Sequence, residues 1–216
     1  MIEIIPSILV QTQEEFEKNI QGLGQSVSMV QIDVADGIFV SNKTWTDPLI
    51  VKKCVQTEIE LHLMVQNPLE ELQRWTEMPL IKRVHVHFES IKNDVDNTIL
   101  ALREAGYEVG VALNPETPID VLEPYINDID AVLFLSVHPG KQGQPFLPEV
   151  LEKIKTFRSK GWNHFIEIDG AVNENTLPDI VRTGVDAVCP GSAIFKTGSP
   201  QENVEKMMKQ ILEIKN

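Results

Sequence analysis

Eight short runs rich in β-branched residues recur along this chain at intervals of roughly 23 to 33 residues, each followed by a polar loop and then by a stretch with helical spacing. The runs are EIIPSIL from Glu3, MVQIDVA from Met29, IELHLMV from Ile59, RVHVHF from Arg83, EVGVALN from Glu108, AVLFLSV from Ala131, HFIEIDG from His164 and DAVCPGS from Asp186. Between them lie amphipathic stretches such as TQEEFEKNIQGL, NDVDNTILALREAG and LPEVLEKIKTFRSKG, and the last two close on a glycine, a common helix stop. Strict alternation of this kind calls for parallel strands joined by helical crossovers. Eight units within 216 residues favour a closed (β/α)₈ TIM barrel, read as a single domain over residues 1–216. The rival is a doubly wound open sheet. Against it, the first strand-to-helix turn, SILVQTQEEF, has no GxGxxG fingerprint, and no Pro/Gly/Ser-rich linker divides the chain.

In such a barrel the chemistry sits at the carboxyl ends of the strands. The polar residues there are Ser7, then Gln31, Asp33 and Asp36, then His62, His87 and Asn114, followed by Ser136 and His138, Glu167 and Asp169, and Ser192. Side chains alternate along a strand, so Gln31 shares a face with Asp33, His62 with Met64, and Glu167 with Asp169. Any of these pairs can point into the barrel mouth. Asp33, His62 and Asp169 would offer one nitrogen and two carboxylate oxygens to a divalent metal, with an amide oxygen available from Gln31. Plainer readings stand beside this one. A lone strand histidine is commonly a hydrogen-bonded core residue, and the Asp-Gly pairs at 36–37 and 169–170 fit turn caps. The HVH of 85–87 reads as core histidines rather than as a metal pair.

A formal net charge of -13 argues against nucleic acid and anionic membrane as partners, because those surfaces are bound by clustered Lys and Arg. An anionic substrate would therefore need local help. The loops after the last strands can supply it: SVHPGKQGQPF with Gly140, Lys141, Gln142 and Gly143, DGAVNENT with Gly170 and Ala171, and PGSAIF with Gly191 and Ser192. Exposed backbone N–H groups leading into a helix start hold phosphate without many basic residues. The alternative is that these glycines only make turns. No apolar run has the length of a membrane span, and MIEIIPSILV lacks the basic start of a secretory signal, so a cytoplasmic location is expected. Cys54 and Cys189 lack CxxC spacing and read as core thiols.

An ordered series of stretches resembles the ribulose-phosphate 3-epimerase family, as a divergent member. It comprises PSIL with Ser7, DVADGIFV with Asp33 and Asp36, LHLMVQNP with His62 and Met64, and GVALNPETP with Asn114. SVHPGKQGQPFLPEVLEKI, IEIDGAVNENT with Asp169, and GSAIF with Gly191 and Ser192 complete it. The resemblance implies a cytoplasmic barrel of the ribulose-phosphate-binding type, in the pentose phosphate pathway, that interconverts ribulose 5-phosphate and xylulose 5-phosphate by moving the C3 proton. It implies Asp33 and Asp169 as the catalytic pair, and Ser7, His62, Met64, Gly140, Lys141, Gln142, Gly143, Gly170, Ala171, Gly191 and Ser192 around the substrate. It further implies a homo-oligomer and a divalent metal (Zn, Mn, Fe, Co or Mg) held by Asp33, His62, Asp169 and the residue two before Asp33.

That residue is Gln31, where the family has histidine, a change that should weaken zinc and favour harder ions. Alternatively, Gln31 donates a hydrogen bond and no metal binds. Ala35 and Leu135 stand where methionine is usual, Ile38 where histidine is, Lys141-Gln142 where a Phe-Gly pair is, and Ala171 where a second glycine is. Two other functions follow from these departures: epimerisation of a six-carbon substrate such as allulose 6-phosphate, or a barrel that binds phosphosugars without catalysis. A decarboxylase or aldol-type synthase ranks last, since DVADGIF lacks the lysine of the DxKxxD pattern.

Overall fold

Proline in the middle of a barrel strand removes a ladder hydrogen bond, and Pro6 does so in the first strand. In the computed structural model, which describes residues 2–140 and 143–215, that strand is cut into β1 (Glu3–Ile4) and β2 (Ser7–Ile8). The other strands are β3 (Met29–Ala35), β4 (Glu58–Met64), β5 (Ile81–His87), β6 (Glu108–Leu113), β7 (Ala131–Leu135), β8 (Phe165–Asp169) and β9 (Ala187–Cys189). All pair in parallel in the order β1-β9-β8-β7-β6-β5-β4-β3-β2. The two ends of that order are the two halves of one chain segment, so the sheet closes on itself. Ile5 N donates to Val188 O at 2.9 Å, Ser7 N to Pro190 O at 3.2 Å, and the Pro6 carbonyl accepts from Gln31 N at 3.0 Å. The seam therefore keeps its hydrogen bonds across the proline.

Helices follow the strands, and their ends are legible in the residues. In α1 (Gln13–Leu23), Thr12 Oγ1 accepts from Glu15 N at 3.2 Å at the start, while Gly24 ends it at φ 54°. Next come α2 (Pro48–Cys54), capped by Asp47, α3 (Pro68–Leu72), α4 (Phe88–Ile91), α5 (Val95–Glu104), α6 (Glu149–Ser159), α7 (Leu177–Val181), α8 (Ser192–Phe195) and α9 (Pro200–Lys215). The helix expected from Leu147 begins two residues later, after Pro148. Between β6 and β7 the connection is a 3₁₀ run, Ile119–Asp128, with Pro118 before it and Pro124 inside it. Proline denies the i→i−4 hydrogen bond that an α-helix would need there.

The alternation of each strand sorts its residues into two cores. Outward residues such as Val30, Ile32, Leu61, Leu63, Val84 and Val86 pack under the helices with Phe16, Trp75 and Phe157. Inward ones form a much smaller apolar plug, Ile5, Met29, Ala112, Leu133, Leu135, Ala187 and Cys189. Much of the remaining barrel interior is polar, with a small apolar group of Ala35, Val40 and Met64 near its mouth, and it is there that the site lies. Among the described residues, no helix is long and apolar enough to cross a membrane.

Candidate active site

Asp33 on β3 lies opposite His62 on β4, and Asp169 ends β8, so three inward side chains meet at the carboxyl end of the barrel. His62 Nδ1 is 2.9 Å from Asp33 Oδ1 and 3.6 Å from Asp169 Oδ2. Gln31, two residues before Asp33 and so on the same face, spans the two carboxyls. Its Nε2 donates to Asp33 Oδ1 and to Asp169 Oδ2, both at 2.8 Å, which uses both amide hydrogens. Burial pushes the Asp33 carboxyl up to about 7, against the pull of the Gln31 hydrogen bond and of His87. Asp169 also rises to about 7, through burial first and the neighbouring Asp33 second. Two carboxyls near neutrality, tied by one amide, form a pair able to give or take a proton at physiological pH.

Behind this pair runs a second line of contacts. His62 Nε2 lies 2.8 Å from His87 Nε2, and His87 Nδ1 lies 3.3 Å from Glu89 Oε2. Glu89 Oε1 accepts from Asn114 N at 3.0 Å and from the Thr117 hydroxyl. Burial disfavours charge on Glu89, yet its partners, His87 and Thr117 foremost, hold it down at about 2. Burial pushes both His62 and His87 down to about 4.

One layer deeper the barrel is filled by charge. Arg83 Nη1 donates to Glu167 Oε1 at 2.7 Å and to Glu60 Oε2 at 3.2 Å, while its Nη2 reaches Glu108 at 2.7 Å. His85 Nε2 sits 2.9 Å from Glu167 Oε1. Glu167, expected with Asp169 as a possible mouth residue, thus belongs to this lower layer, because the two-residue period places it one rung below. Burial and the charge of Glu167 raise Glu60 to about 8; Glu167 itself, for all its burial, is held at about 2 by His85 and Arg83. Room for the His85 ring exists only because residue 110 is glycine: a Cβ there would lie 2.1 Å from His85 Nδ1. The histidines of the HVH stretch are core residues, as expected, but in two different layers. Glu60, Arg83 and Glu89 were not singled out from the sequence; a charged residue two positions before or after an inward histidine was the available signal.

Above the carboxyl pair opens a pocket lined by Ser7, Asp33, His62, Met64, Gly140, Gly143, Asp169, Gly170, Ala171, Gly191 and Ser192, all expected from the sequence. Leu9, Leu135, Val137, Pro139, Gln144 and Val172 complete the wall. Lys141 and Gln142, expected around the substrate, lie outside the described residues. Gly170, at φ 108°, is required: a Cβ would come within 2.6 Å of the Val137 side chain and 2.9 Å of its backbone nitrogen. Ala171 takes the left-handed φ of 49°, at the position where the resemblance implies glycine, and its carbonyl is held by Asn173 Nδ2 at 2.7 Å and Thr176 Oγ1 at 2.8 Å.

Other strand-end residues serve the frame. The Ser136 hydroxyl donates to the carbonyls of residues 169 and 170, and exposed His138 pairs with Glu116 at 3.2 Å. Asp36 accepts from the backbone N–H groups of Ile38 at 2.7 Å, Phe39 at 2.9 Å and Gln66 at 2.7 Å. Burial opposes its charge, but these three donors prevail and hold the carboxyl low. It fastens the loop and does not line the pocket.

The donor set suits a divalent ion. Ligand atoms from Asp33, His62 and Asp169 all lie within 4.8 Å of one another. Gln31 Oε1 is buried without a hydrogen-bond partner. Turning that amide over would bring the oxygen to where Nε2 now meets both carboxylates. Glu60, His85 and Glu167 also cluster at ligand spacing, but Arg83 already fills their centre.

A profile of the Ribulose-phosphate 3 epimerase family matches residues 3–195. The ribulose-phosphate 3-epimerase of Bacillus subtilis is 34% identical over 204 residues, covering 90% of this chain and 93% of that protein. That of Synechocystis is 32% identical over 212 residues, covering 94% and 91%. Among solved structures, KGPDC from Streptococcus mutans superposes with a TM-score of 0.75 at 11% identity, covering 100% of both chains. The 3-hexulose-6-phosphate synthase of Salmonella typhimurium gives 0.74 at 16%, covering 99% of this chain and 100% of that one. At such identities these structures speak for the barrel alone, whereas the profile and the epimerases speak for the family. The chain belongs to the ribulose-phosphate 3-epimerase family, isomerases that epimerise sugar phosphates.

Proposed function

We propose that this chain interconverts ribulose 5-phosphate and xylulose 5-phosphate by two-aspartate proton transfer at C3. The observation that carries this reading is the pair Asp33 and Asp169, both raised to about 7 and joined through Gln31 beneath the pocket. The C2 ketone acidifies the hydrogen on C3; one carboxylate removes it and the other carboxyl delivers a proton to the opposite face, so configuration inverts and the pair ends with its two roles exchanged. A carboxyl titrating near the working pH is matched to both halves of that exchange. The negative charge that develops on the substrate oxygens lies in a pocket floored by His62 and by the two carboxyls to which Gln31 donates. A divalent ion held by Asp33, His62, Asp169 and the Gln31 oxygen would supply positive charge against the same oxygens.

The phosphate is assigned to the loops in which Gly170, Ala171, Gly191 and Ser192 line the pocket. Backbone N–H groups in such loops make anion-binding concavities without a basic side chain. This accounts for how a chain of net charge -13 accepts a phosphorylated sugar.

The test is proton NMR of ribulose 5-phosphate in deuterated water, with protein stripped of metal and then resupplied with zinc, manganese or magnesium. Deuterium at C3 with formation of xylulose 5-phosphate is expected. Asp33→Asn and Asp169→Asn should each abolish it while inorganic phosphate still binds. No exchange with ribulose 5-phosphate under any metal would overturn the assignment of substrate, and unchanged turnover in both variants would overturn the two-aspartate route.

A further inference from the structure

The proton positions along the line Glu89, His87, His62 follow from which groups in it can only donate. The backbone N–H of Asn114 has no lone pair, so Glu89 Oε1, 3.0 Å away, accepts from it, and the Thr117 hydroxyl adds a second donor to the same oxygen. These donors, together with His87, hold Glu89 in its charged form against its burial, so its other oxygen, 3.3 Å from His87 Nδ1, accepts as well. His87 carries its hydrogen on Nδ1. Its Nε2 presents a lone pair to His62 Nε2 at 2.8 Å, a separation that accommodates one hydrogen between two neutral rings and not two between a pair of cations. His62 therefore carries its hydrogen on Nε2.

We propose that Glu89 and His87 are positioning residues that fix the tautomer of His62, so that His62 Nδ1 always meets the Asp33–Asp169 centre as a bare lone pair. The inference deepens the epimerase reading and rests on it for its purpose. The surroundings of Nδ1 agree with the assignment: Asp33 Oδ1 at 2.9 Å and Asp169 Oδ2 at 3.6 Å stand beside it at the spacing of fellow ligands of one ion. A lone pair at Nδ1 is what a divalent ion requires of an imidazole. The carboxylate–histidine support common around metal sites is here extended by one ring, with Glu89 acting on His62 through His87.

The opposite arrangement is equally definite. If residue 89 donated to His87 Nδ1, His87 would pass its hydrogen through Nε2 and His62 would carry a proton on Nδ1, aimed into the site. Glu89→Gln imposes this: its amide oxygen still accepts from Asn114 and Thr117, while its NH₂ faces His87. The substitution is nearly isosteric, so the relay inverts without a cavity.

Nitrogen-15 NMR of histidine-labelled, metal-free protein reads the tautomers without any turnover. Wild type is expected to show His62 protonated at Nε2 and His87 at Nδ1, and Glu89→Gln to show both reversed. Manganese or zinc titration by calorimetry should then give an affinity about 10- to 100-fold weaker in Glu89→Gln. His62 protonated at Nδ1 in the wild type overturns the inference even if the variant fails to fold. So does a folded Glu89→Gln with unchanged tautomers and metal affinity. The expected tautomers without any C3 exchange would overturn the epimerase reading alone and leave the relay standing.

Discussion

Glu60 and Glu167 share one guanidinium, and replacing each by glutamine is expected to have unequal consequences. Glu167→Gln removes charge from the partner of two close donors, Arg83 at 2.7 Å and His85 at 2.9 Å. Both glutamates are fully buried, and each charge-assisted hydrogen bond contributes about 1.5–3 kcal/mol, so a loss of about 3–5 kcal/mol is expected at neutral pH. Glu60 is the weaker partner, 3.2 Å from Arg83 and 3.7 Å from His85, and it holds its proton to about 8. A glutamine there replaces a neutral acid by a neutral amide.

The pH dependence separates the two variants. The Glu60 carboxyl ionises near 4.5 when unfolded and near 8 when folded, so the folded state binds the extra proton between those values and wild-type stability falls as pH rises through that window. At about 1.4 kcal/mol per unit the upper bound is about 5 kcal/mol. Glu60→Gln escapes this decline, and its stability relative to wild type should climb from near zero at about pH 5 to several kcal/mol at about pH 8.5. For Glu167 the sign reverses: a folded value held near 2 gives stability that is present above 4.5 and lost as pH falls toward 2. Guanidinium unfolding of both variants and wild type, in chelator, across this pH range gives the differences directly. The charge assignment is refuted if Glu60→Gln costs as much as Glu167→Gln, or if its effect does not vary with pH.

Gly110→Ala places a Cβ 2.1 Å from His85 Nδ1 inside the closed barrel and should cost at least about 1–3 kcal/mol; an unchanged melting temperature would refute the packing. At Ala171, φ 49° already carries the left-handed cost, so Ala171→Gly should change stability by under about 1 kcal/mol while the β-branched Ala171→Val loses about 1–3 kcal/mol, read by thermal melts. Asp36→Ala strips the acceptor from three backbone N–H groups and should lose about 1–3 kcal/mol while C3 exchange persists; abolished exchange in a folded variant would put Asp36 in the chemistry.

The barrel and its mouth were largely legible in the chain, because strand alternation, βα periodicity and glycine-rich loops are local signals. The first strand shows the limit: EIIPSIL reads as one run, and only the pairing to β9 on one side of Pro6 and to β3 on the other reveals it as the seam of the barrel. Likewise, IDVLEPYIND has helical spacing, but the prolines before and within it, Pro118 and Pro124, force a 3₁₀ run.

At the site, residue type brought forward Asp33, His62 and Asp169, and the family resemblance brought forward the departure at Gln31. What those residues do to one another is a matter of rungs. Two positions along a strand move a side chain by one rung, so His87 meets His62 in the catalytic layer while His85 meets Glu167 beneath Asp169, where the Arg83 guanidinium joins them. Proton positions and raised carboxyls depend on neighbours from β4, β5 and β8 that are far apart in sequence. By itself the sequence determined the barrel, the identity of the polar groups at its mouth and the family to which they belong. Only the closure of the sheet decided which charges share a layer, because burial and Coulomb interactions act over a few ångströms of space and take no account of distance along the chain.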